Sequence, residues 1–404
     1  MNPTITLCRS REDLGEALGA IWHYFGLSLA PEDLDRWMTL LGPSRMHAAR
    51  IDGAIVGGAG AYTHELTVPG GMVSAAAVTV VGVYPTHRRR GIQRAMMRSQ
   101  LEAIQERGEP VAYLWASEET IYSRYGYGMA ALGGSIDLPK TAAAFARPSA
   151  ARGQVRLLRA EEAVEPISRV YDQVRRVSPG MCARSKDWWT LRRLADPENR
   201  RMGGGPQQRA VLELDGEPAG YAIYRIHAAK EGGVAAGHIS VVEAMGVTPE
   251  ATREIWRFLL DIDWIGRVKA HFLPVDHPLQ LLLARPRSMG WHVSDTLWVR
   301  IIDVPAAFAA RAIRPGAPVV VEVTDEFLES NTGRYEIGAG RLGRTTADPD
   351  LACDINALGS VYLSGFTMAQ LVRSGRAMER REGAAQRLDD LLRWDRAPWC
   401  PEVF

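Results

Sequence analysis

The sequence predicts two tandem domains of similar α/β fold, followed by a third, different α/β unit. Three observations carry this. Ala49–Gly57 reads as strand, Asp-Gly turn, strand, and Val211–Gly220 reads the same way. An Asp-Gly pair between alternating apolar runs signals a tight hairpin, because that turn needs positive φ. Gly82-Val83-Tyr84-Pro85 ends one strand ahead of a helix, and Gly246-Val247-Thr248-Pro249 does likewise. The matches keep their order and a nearly constant offset of about 163 to 164 residues. Two unrelated α/β domains that share common hairpin chemistry are the alternative. The implied segments are 1–148, 149–294 and 295–404.

Taken in order, the first copy opens with an alternating strand, Thr4–Cys8. Ser10-Arg11-Glu12-Asp13 supplies a cap and an acidic first turn for a helix. The second copy repeats this with Val155–Leu158 and the acidic helix start Glu161-Glu162. From about Asp295 a separate unit begins. It has strands at Val319–Val323 and Arg334–Ile337, then amphipathic helices at Met368–Arg373 and Ala384–Trp394, with Leu388, Leu391 and Leu392 as core contacts.

With 404 residues the chain is long enough for two or three domains, and 46% hydrophobic against 24% charged residues is the composition of a packed globular protein. A net charge of +1 excludes a broadly basic nucleic-acid or membrane-surface protein. No run approaches the roughly 20 apolar residues of a membrane span. The stretch Met1–Ile5 lacks the basic and apolar regions of a secretion signal. Cys8, Cys182, Cys353 and Cys400 are widely separated and form no CxxC pair, which points to a reducing cytoplasm and away from disulfides or zinc. The histidines show no HxxxH spacing, so no metal is expected.

The most informative segment is Val78–Gln93. A β-branched strand runs out at Pro85, which cannot continue a central strand. Arg88, Arg89, Arg90 and Gly91 follow, and then a helix with Met97, Leu101 and Ile104 on one face. A helix N-terminus offers unpaired N–H groups and the positive end of the dipole. Gly91 lets backbone approach a phosphate, and the arginines add attraction and forked contacts. Three arginines at a helix start have the wrong sign for helix stability, since that end prefers anions. A local conflict of this kind marks a functional place, here a pyrophosphate site. A solvated basic helix start is the structural alternative. The second copy has Glu250–Ile255 in this place, with carboxylates and neither glycine nor arginine cluster, so it is not expected to bind the same ligand.

Strand, bend, R/Q-x-x-G-x-G/A, helix resembles the acetyl-CoA motif of the GNAT acetyltransferases. Arg88-Arg89-Arg90-Gly91-Ile92 fits it, with Gln93 where Gly or Ala is usual. Tyr122-Ser123-Arg124-Tyr125-Gly126-Tyr127 is similar to the GNAT run Y-x-x-x-G-F. The resemblance implies that Tyr122 protonates the departing thiolate, and a phenol with a pKa near about 10 holds its proton at neutral pH. Tyr122 is otherwise an aromatic core residue, as Tyr125 and Tyr127 are expected to be. Ser117, after the strand Val111–Ala116, resembles the residue that hydrogen-bonds the cofactor near the thioester.

Three pieces together resemble one GNAT subgroup, the enhanced-intracellular-survival (Eis) acetyltransferases. They are Pro85–Gly91, Ala116-Ser117-Glu118 with Ile121-Tyr122, and Leu297–Ala307. The resemblance spans the full length: a catalytic GNAT domain, a degenerate GNAT-like domain, and a domain similar to sterol carrier proteins. It implies acetyl-CoA as co-substrate, held by the backbone of Val81, Gly82 and Val83, by Arg88 and Arg89, and at Gly91 and Ile92. It implies a homo-hexamer that acetylates amines of aminoglycosides, with protein lysines or small metabolite amines as alternative acceptors. A non-catalytic acetyl-CoA- or lipid-binding scaffold is the third possibility. It also implies that the α-carboxylate of the last residue, Phe404, accepts the proton of the attacking ammonium. The tail Ala397-Pro398-Trp399-Cys400-Pro401-Glu402-Val403-Phe404 has two prolines and two large aromatics, which suit a tucked, ordered terminus. Trp37 and Glu402 are the candidates for lining the acceptor pocket, with Glu32, Asp33, Glu118 and Glu119 as the other acids a polycation could meet; a core role for Trp37 is the alternative.

Overall fold

The structure, a computed structural model, describes residues 3–404. Met1 and Asn2, which head the stretch read above for a secretion signal, lie outside the described residues.

Strand β1 (Thr4–Leu7) leads to Ser10, whose hydroxyl accepts from the Asp13 amide at 3.1 Å and caps helix α1 (Arg11–Trp22). Helix α2 (Pro31–Leu40) opens on proline, where no amide is needed. β2 (Met46–Ile51) and β3 (Ala54–Val68) are joined by Asp52-Gly53 at φ 51° and 85°, the turn with two positive φ values. β4 (Gly71–Val83), α3 (Ile92–Glu106), β5 (Val111–Trp115), α4 (Glu119–Tyr122) and β6 (Gly128–Met129) follow, and then β7 (Leu132–Pro139). The second copy repeats the order with β8 (Gln154–Leu157), α5 (Ala160–Arg175) and β9 (Gln208–Leu214), then Asp215-Gly216 at φ 52° and 84°, and β10 (Glu217–His227). A small hairpin, β11 (Lys230–Glu231) and β12 (Val234–Ala235), precedes β13 (His238–Gly246), α6 (Pro249–Asp261), β14 (Arg267–Pro274), α7 (Leu279–Leu282) and β15 (His292–Asp295). The last part contains β16 (Leu297–Ile301), α8 (Val304–Ala309), β17 (Val319–Thr324), β18 (Gly333–Gly338), β19 (Arg341–Arg344), β20 (Leu351–Asp354), α9 (Ile355–Tyr362), α10 (Met368–Arg373), β21 (Ala377–Glu379) and α11 (Ala384–Leu392).

Two seven-stranded sheets have the same plan. One runs β1-β2-β3-β4-β5-β16-β6, the other β8-β9-β10-β13-β14-β7-β15. Position by position they correspond, except that the sixth strand of each comes from outside its own copy of the repeat. Leu297–Ile301, read above as the opening of the third segment, therefore completes the first sheet, and Leu132–Pro139 completes the second. Sequence position misleads here because every residue of β16 is buried, as a central strand requires. Its apolar run shows that it is covered on both faces but carries no label for the sheet it joins. A third sheet, β19-β18-β17-β20-β21, lies in the last part of the chain.

The chain divides into two compact units. One contains the chain up to Ala131, Thr296–Asp395 and Val403–Phe404; the other contains Leu132–Asp295 and Arg396–Glu402. In the first unit, the last part of the chain is fastened to the first sheet by buried polar groups. Arg300, on β16, forms a forked pair with Asp325 at 2.9 and 2.7 Å, both side chains wholly buried. Asp325 also accepts from the amides of Phe327 and Leu328 and from Asn331. Asn356, on α9, donates to the carbonyls of Ser123 (2.8 Å) and Tyr127 (2.9 Å), so it fixes both ends of the turn that follows Tyr122. No helix among the described residues is long and apolar enough to cross a membrane.

Removing Asp325 leaves the Arg300 guanidinium buried without a counter-charge. Asp325→Ala is expected to destabilise the protein by about 3–5 kcal/mol, measured as a lower denaturant midpoint.

Candidate active site

β4 and β5 run parallel and pair only at Ala75↔Val111, Ala76↔Ala112 and Ala77↔Tyr113. Beyond Tyr113 they part. A bulge in β4 coincides with the parting: the β3 register slips between Gly58↔Gly82 and Gly60↔Thr79, and Val80 takes φ 48°. β-Branched residues rarely adopt that conformation, so Val80 is a strained position held by its surroundings. The result is a notch edged by backbone groups of Val81–Val83 and of the chain following Tyr113. α1 closes against this region because glycine permits it. A Cβ on Gly58 would come within 2.5 Å of the Ala17 carbonyl, and one on Gly82 within 3.0 Å of the Ile21 backbone.

At the end of β4 lies the segment read above as a phosphate loop. Arg88 is extended, Arg89 has φ 62°, and Gly91 has φ 75° with nothing within 4 Å of the place a Cβ would occupy. Gly91 is the cap residue of α3, so no side chain caps that helix, and its first turn has no acidic residue. The first amides of α3 are thus left for a ligand. Arg88, Arg89 and Arg90 are exposed and form no ion pair among the described residues. Ile92 is 2% exposed, so its side chain belongs to the core and only its amide is available to a phosphate. The second copy differs physically. Thr248 caps α6 by accepting from the Ala251 amide at 3.1 Å, Pro249 has no amide, and Glu250 offsets the dipole. That helix start is already satisfied. These residues fit a pyrophosphate-bearing acyl donor at α3 and not at α6.

Tyr122 and Phe404 sit on opposite faces of the first sheet. Tyr122 packs with Ala112 and Leu114 in the cluster under α3, edge-on to Tyr127 at 5.9 Å. Burial pushes its phenol up to about 12, helped by Tyr125 and Glu118. Its hydroxyl makes no hydrogen bond among the described residues. Tyr125 and Tyr127 are core residues, as expected. Tyr113, between Ala112 and Leu114, points to the other face. There the Phe404 ring stands edge-on to Tyr113 (5.0 Å) and to His64 (6.1 Å), and the His64 ring bonds the Tyr113 hydroxyl at 2.8 Å. The last residue of the chain is therefore buried beside the point where β4 and β5 separate.

Trp37 is 8% exposed, and its ring stacks on Tyr62 (5.9 Å), which stacks on His64 (5.6 Å). It is a core residue behind Phe404 more than a pocket wall. Ser117 is exposed, two residues past the end of β5. Glu402, expected at the acceptor pocket, is not available to an acceptor. Its side chain is 3% exposed and lies in the second unit, paired to Arg184 (2.7 Å) and Arg192 (3.5 Å). Tyr62, His64, Tyr113 and Tyr24 are site-side residues that the sequence reading missed. Alternation along β3 puts Tyr62 and His64 on one face, a legible signal, but nothing local shows that the C-terminus meets that face. Tyr24 donates to the Val83 carbonyl at 2.7 Å and has the Arg88 guanidinium 5.7 Å above its ring, so it ties the α1–α2 loop to the notch edge.

Comparison with known proteins agrees with this layout. Acetyltransferase (GNAT) domain models match residues 10–130 and 180–301, and a sterol carrier protein domain model matches 304–401. An uncharacterized N-acetyltransferase of Streptomyces avermitilis is 37% identical over 386 residues, 94% of each chain. The N-acetyltransferase Eis of Mycobacterium tuberculosis is 33% identical over 404 residues, 96% of each chain. The crystal structure of Eis1 from Mycobacterium abscessus superposes with a TM-score of 0.87 at 35% identity, covering 99% of this chain and 100% of that one. A GCN5-related N-acetyltransferase from Anabaena variabilis shares the fold, with a TM-score of 0.86 at 20% identity and full coverage of both chains.

The contrast between the two helix starts gives a stoichiometry. Calorimetry with CoA is expected to find one site per chain. Arg88→Ala is expected to weaken binding by roughly tenfold and to flatten its salt dependence.

Proposed function

This chain belongs to the Eis group of GNAT N-acetyltransferases, and on that premise we propose that it acetylates amines of aminoglycoside-like polyamines by direct transfer, with Tyr122 as general acid and the Phe404 carboxylate as general base. GNAT domains use acetyl-CoA, which supplies the acetyl group as a thioester. One observation carries the reading: a buried tyrosine and the buried C-terminal residue flank the parted strands from opposite faces, beside an uncapped helix start.

The roles follow from that placement. The exposed amides of α3, with Arg88 and Arg89, hold the pyrophosphate, and the backbone of Val81 and Val83 and the Ser117 side chain position the acyl arm. The Phe404 carboxylate takes the proton of the incoming ammonium, so that the neutral amine attacks the carbonyl. Backbone N–H groups near Val81 face the oxygen that gains charge. As the C–N bond forms and the C–S bond breaks, Tyr122 donates its proton to sulfur; the second proton leaves the nitrogen to water, and the phenolate and the Phe404 carboxylic acid return to their starting states by exchange with solvent. A phenol held near 12 remains an acid throughout the neutral range.

The acceptor class rests on the family and on charge. Glu118 and Glu119 stand exposed just past Ser117, and Glu32 is exposed at the start of α2, so carboxylates are present for a polycation although Glu402 is not. A second reading, an amine with an apolar body such as a lysine within a protein or a small metabolite, is favoured by Tyr24, Phe25 and Leu27. These are 43%, 58% and 61% exposed on the loop between α1 and α2. The assembly that goes with the family is a homo-hexamer in the cytoplasm.

Release of CoA thiol by untagged protein with a panel of amines tests the reading. Turnover with several aminoglycosides is expected; turnover with lysyl peptides alone would favour the second reading. Tyr122→Phe is expected to lower kcat by about 10²–10⁴ with CoA affinity unchanged. The acid stays protonated below its folded pKa, so the rate should show no Tyr122-dependent fall between neutral pH and about pH 10. A fall in that window that Tyr122→Phe removes would overturn the assignment.

A further inference from the structure

The second sheet has the same parted strands as the first. β13 and β14 pair from His238↔Arg267 to Val241↔Ala270 and then separate. β13 bulges against β10 between Ile223↔Glu243 and Tyr224↔Val241, just as β4 does against β3. Glu243 lies three residues before the end of its strand, as Val80 does in β4. A notch is therefore built into the second repeat, but α6, at its end, is capped and lacks a phosphate loop.

The C-terminal segment fills it. The Ala397 amide donates to Asp276 at 3.0 Å and the Trp399 amide to the Pro179 carbonyl at 2.7 Å. The Trp399 indole N–H donates to the carbonyl of Phe272, on β14 beyond the last residue paired with β13. The Trp399 ring belongs to the apolar cluster under α5, with Tyr171, Trp189, Tyr221 and Met245. Arg193 donates to the Pro401 carbonyl at 3.3 Å. Beside the bulge, the Glu402 carboxylate meets Arg184, which also forks onto Glu243 at 2.9 and 2.7 Å and lies 3.9 Å over the Tyr171 ring. Arg184, Glu243 and Glu402 are essentially excluded from water. Burial alone would raise both carboxyls; the arginines outweigh it, holding Glu402 below its ordinary range and Glu243 near 2.

We propose that the notch of the degenerate repeat is a binding seat for the chain's own C-terminal segment, Arg396–Glu402, with Glu402, Arg184 and Trp399 as positioning residues that limit, through the single intervening residue, how far the Phe404 carboxylate can move. A buried charge cluster is directional, so it fixes Glu402 in place where apolar packing alone would let it slide. A single residue separates Glu402 from Phe404, and consecutive Cα atoms are about 3.8 Å apart. Fixing Glu402 therefore confines the terminal carboxylate to a small volume. The catalytic consequence rests on the reading of Phe404 as the base; the seat itself does not.

The test uses full-length, untagged protein and two readouts. Native digestion with an aromatic-preferring carboxypeptidase, followed by mass spectrometry, reports how often the tail leaves its seat. Steady-state kinetics reports what that does to turnover. Glu402→Gln is expected to speed release of Phe404 by about tenfold or more and to lower kcat by about tenfold or more, with KM for acetyl-CoA within about twofold of the parent. Trp399→Phe keeps an aromatic ring but loses the indole N–H bond to Phe272, and it should do the same to a lesser degree. It decides the matter if Glu402→Gln fails to fold. Release of Phe404 at the parental rate from a folded variant would overturn the seat. The catalytic premise is read separately by adding Gly-Ser after Phe404. Full turnover in that extended protein removes Phe404 as the base, while faster release in Glu402→Gln would still establish the seat. Loss of turnover on extension, with Glu402→Gln at parental kcat and release, removes the anchor alone.

Discussion

The parting of β4 from β5 is the constraint on which the rest of the site depends. Parallel strands bond continuously unless something interrupts them, and here the interruption is a bulge at Val80 with a backbone conformation that a valine does not favour. Helix α1 lies close against the same region: a Cβ on Gly58 would come within 2.5 Å of the Ala17 carbonyl, and one on Gly82 within 3.0 Å of the Ile21 backbone. Once the strands diverge, their backbone groups are left without partners in the middle of a sheet, and an acyl donor can take the place of a strand. Tyr122 on one face and Phe404 on the other then address the same opening.

The same divergence occurs in the second sheet, and the two copies show how one architecture acquires two uses. In the first copy the helix after the notch begins at an uncapped glycine preceded by three arginines. In the second it begins at Thr248-Pro249-Glu250, and each of these residues answers a need that a phosphate would otherwise meet. The second notch holds a buried arginine between two carboxylates, one of them from the tail. A buried carboxylate paired to arginine contributes little net stability compared with an apolar contact, but it is exacting about position. That suits a segment whose last residue is proposed to act as a base.

The last part of the chain contributes to the site indirectly. Asn356, on α9, clamps the carbonyls of Ser123 and Tyr127, and the Arg300–Asp325 pair fastens the segment after β16 to the sheet that contains β5. Tyr122 therefore stands on a short helix whose following turn is held from the third segment. The sterol carrier protein domain model thus coincides with a piece that, in this protein, holds the turn after Tyr122.

Much of this was legible in the sequence because it is local. The hairpin turns at Asp52-Gly53 and Asp215-Gly216, the helix start at Gly91, the helices at Met368–Arg373 and Ala384–Leu392, and the repeat itself are each set by a few neighbouring residues and by a period. The contrast between the two helix starts, Gly91 against Thr248-Pro249-Glu250, is local too. What the tertiary structure decided is long-range. The exchange of β7 and β16 between sheets leaves no local mark, because a strand's residue pattern reports how it is covered and not which sheet it joins. Glu402 looked like a pocket acid because a carboxylate near a chain end is ordinarily solvated; only the fold brings Arg184, more than two hundred residues earlier, against it. The sequence by itself determined the elements, their order and the uncapped helix start at Gly91, since backbone propensity, capping and turn chemistry act over a few residues. Tertiary structure alone decided where the strands part and which groups meet there, because a bulge, a buried ion pair and a tucked terminus exist only once distant segments have packed.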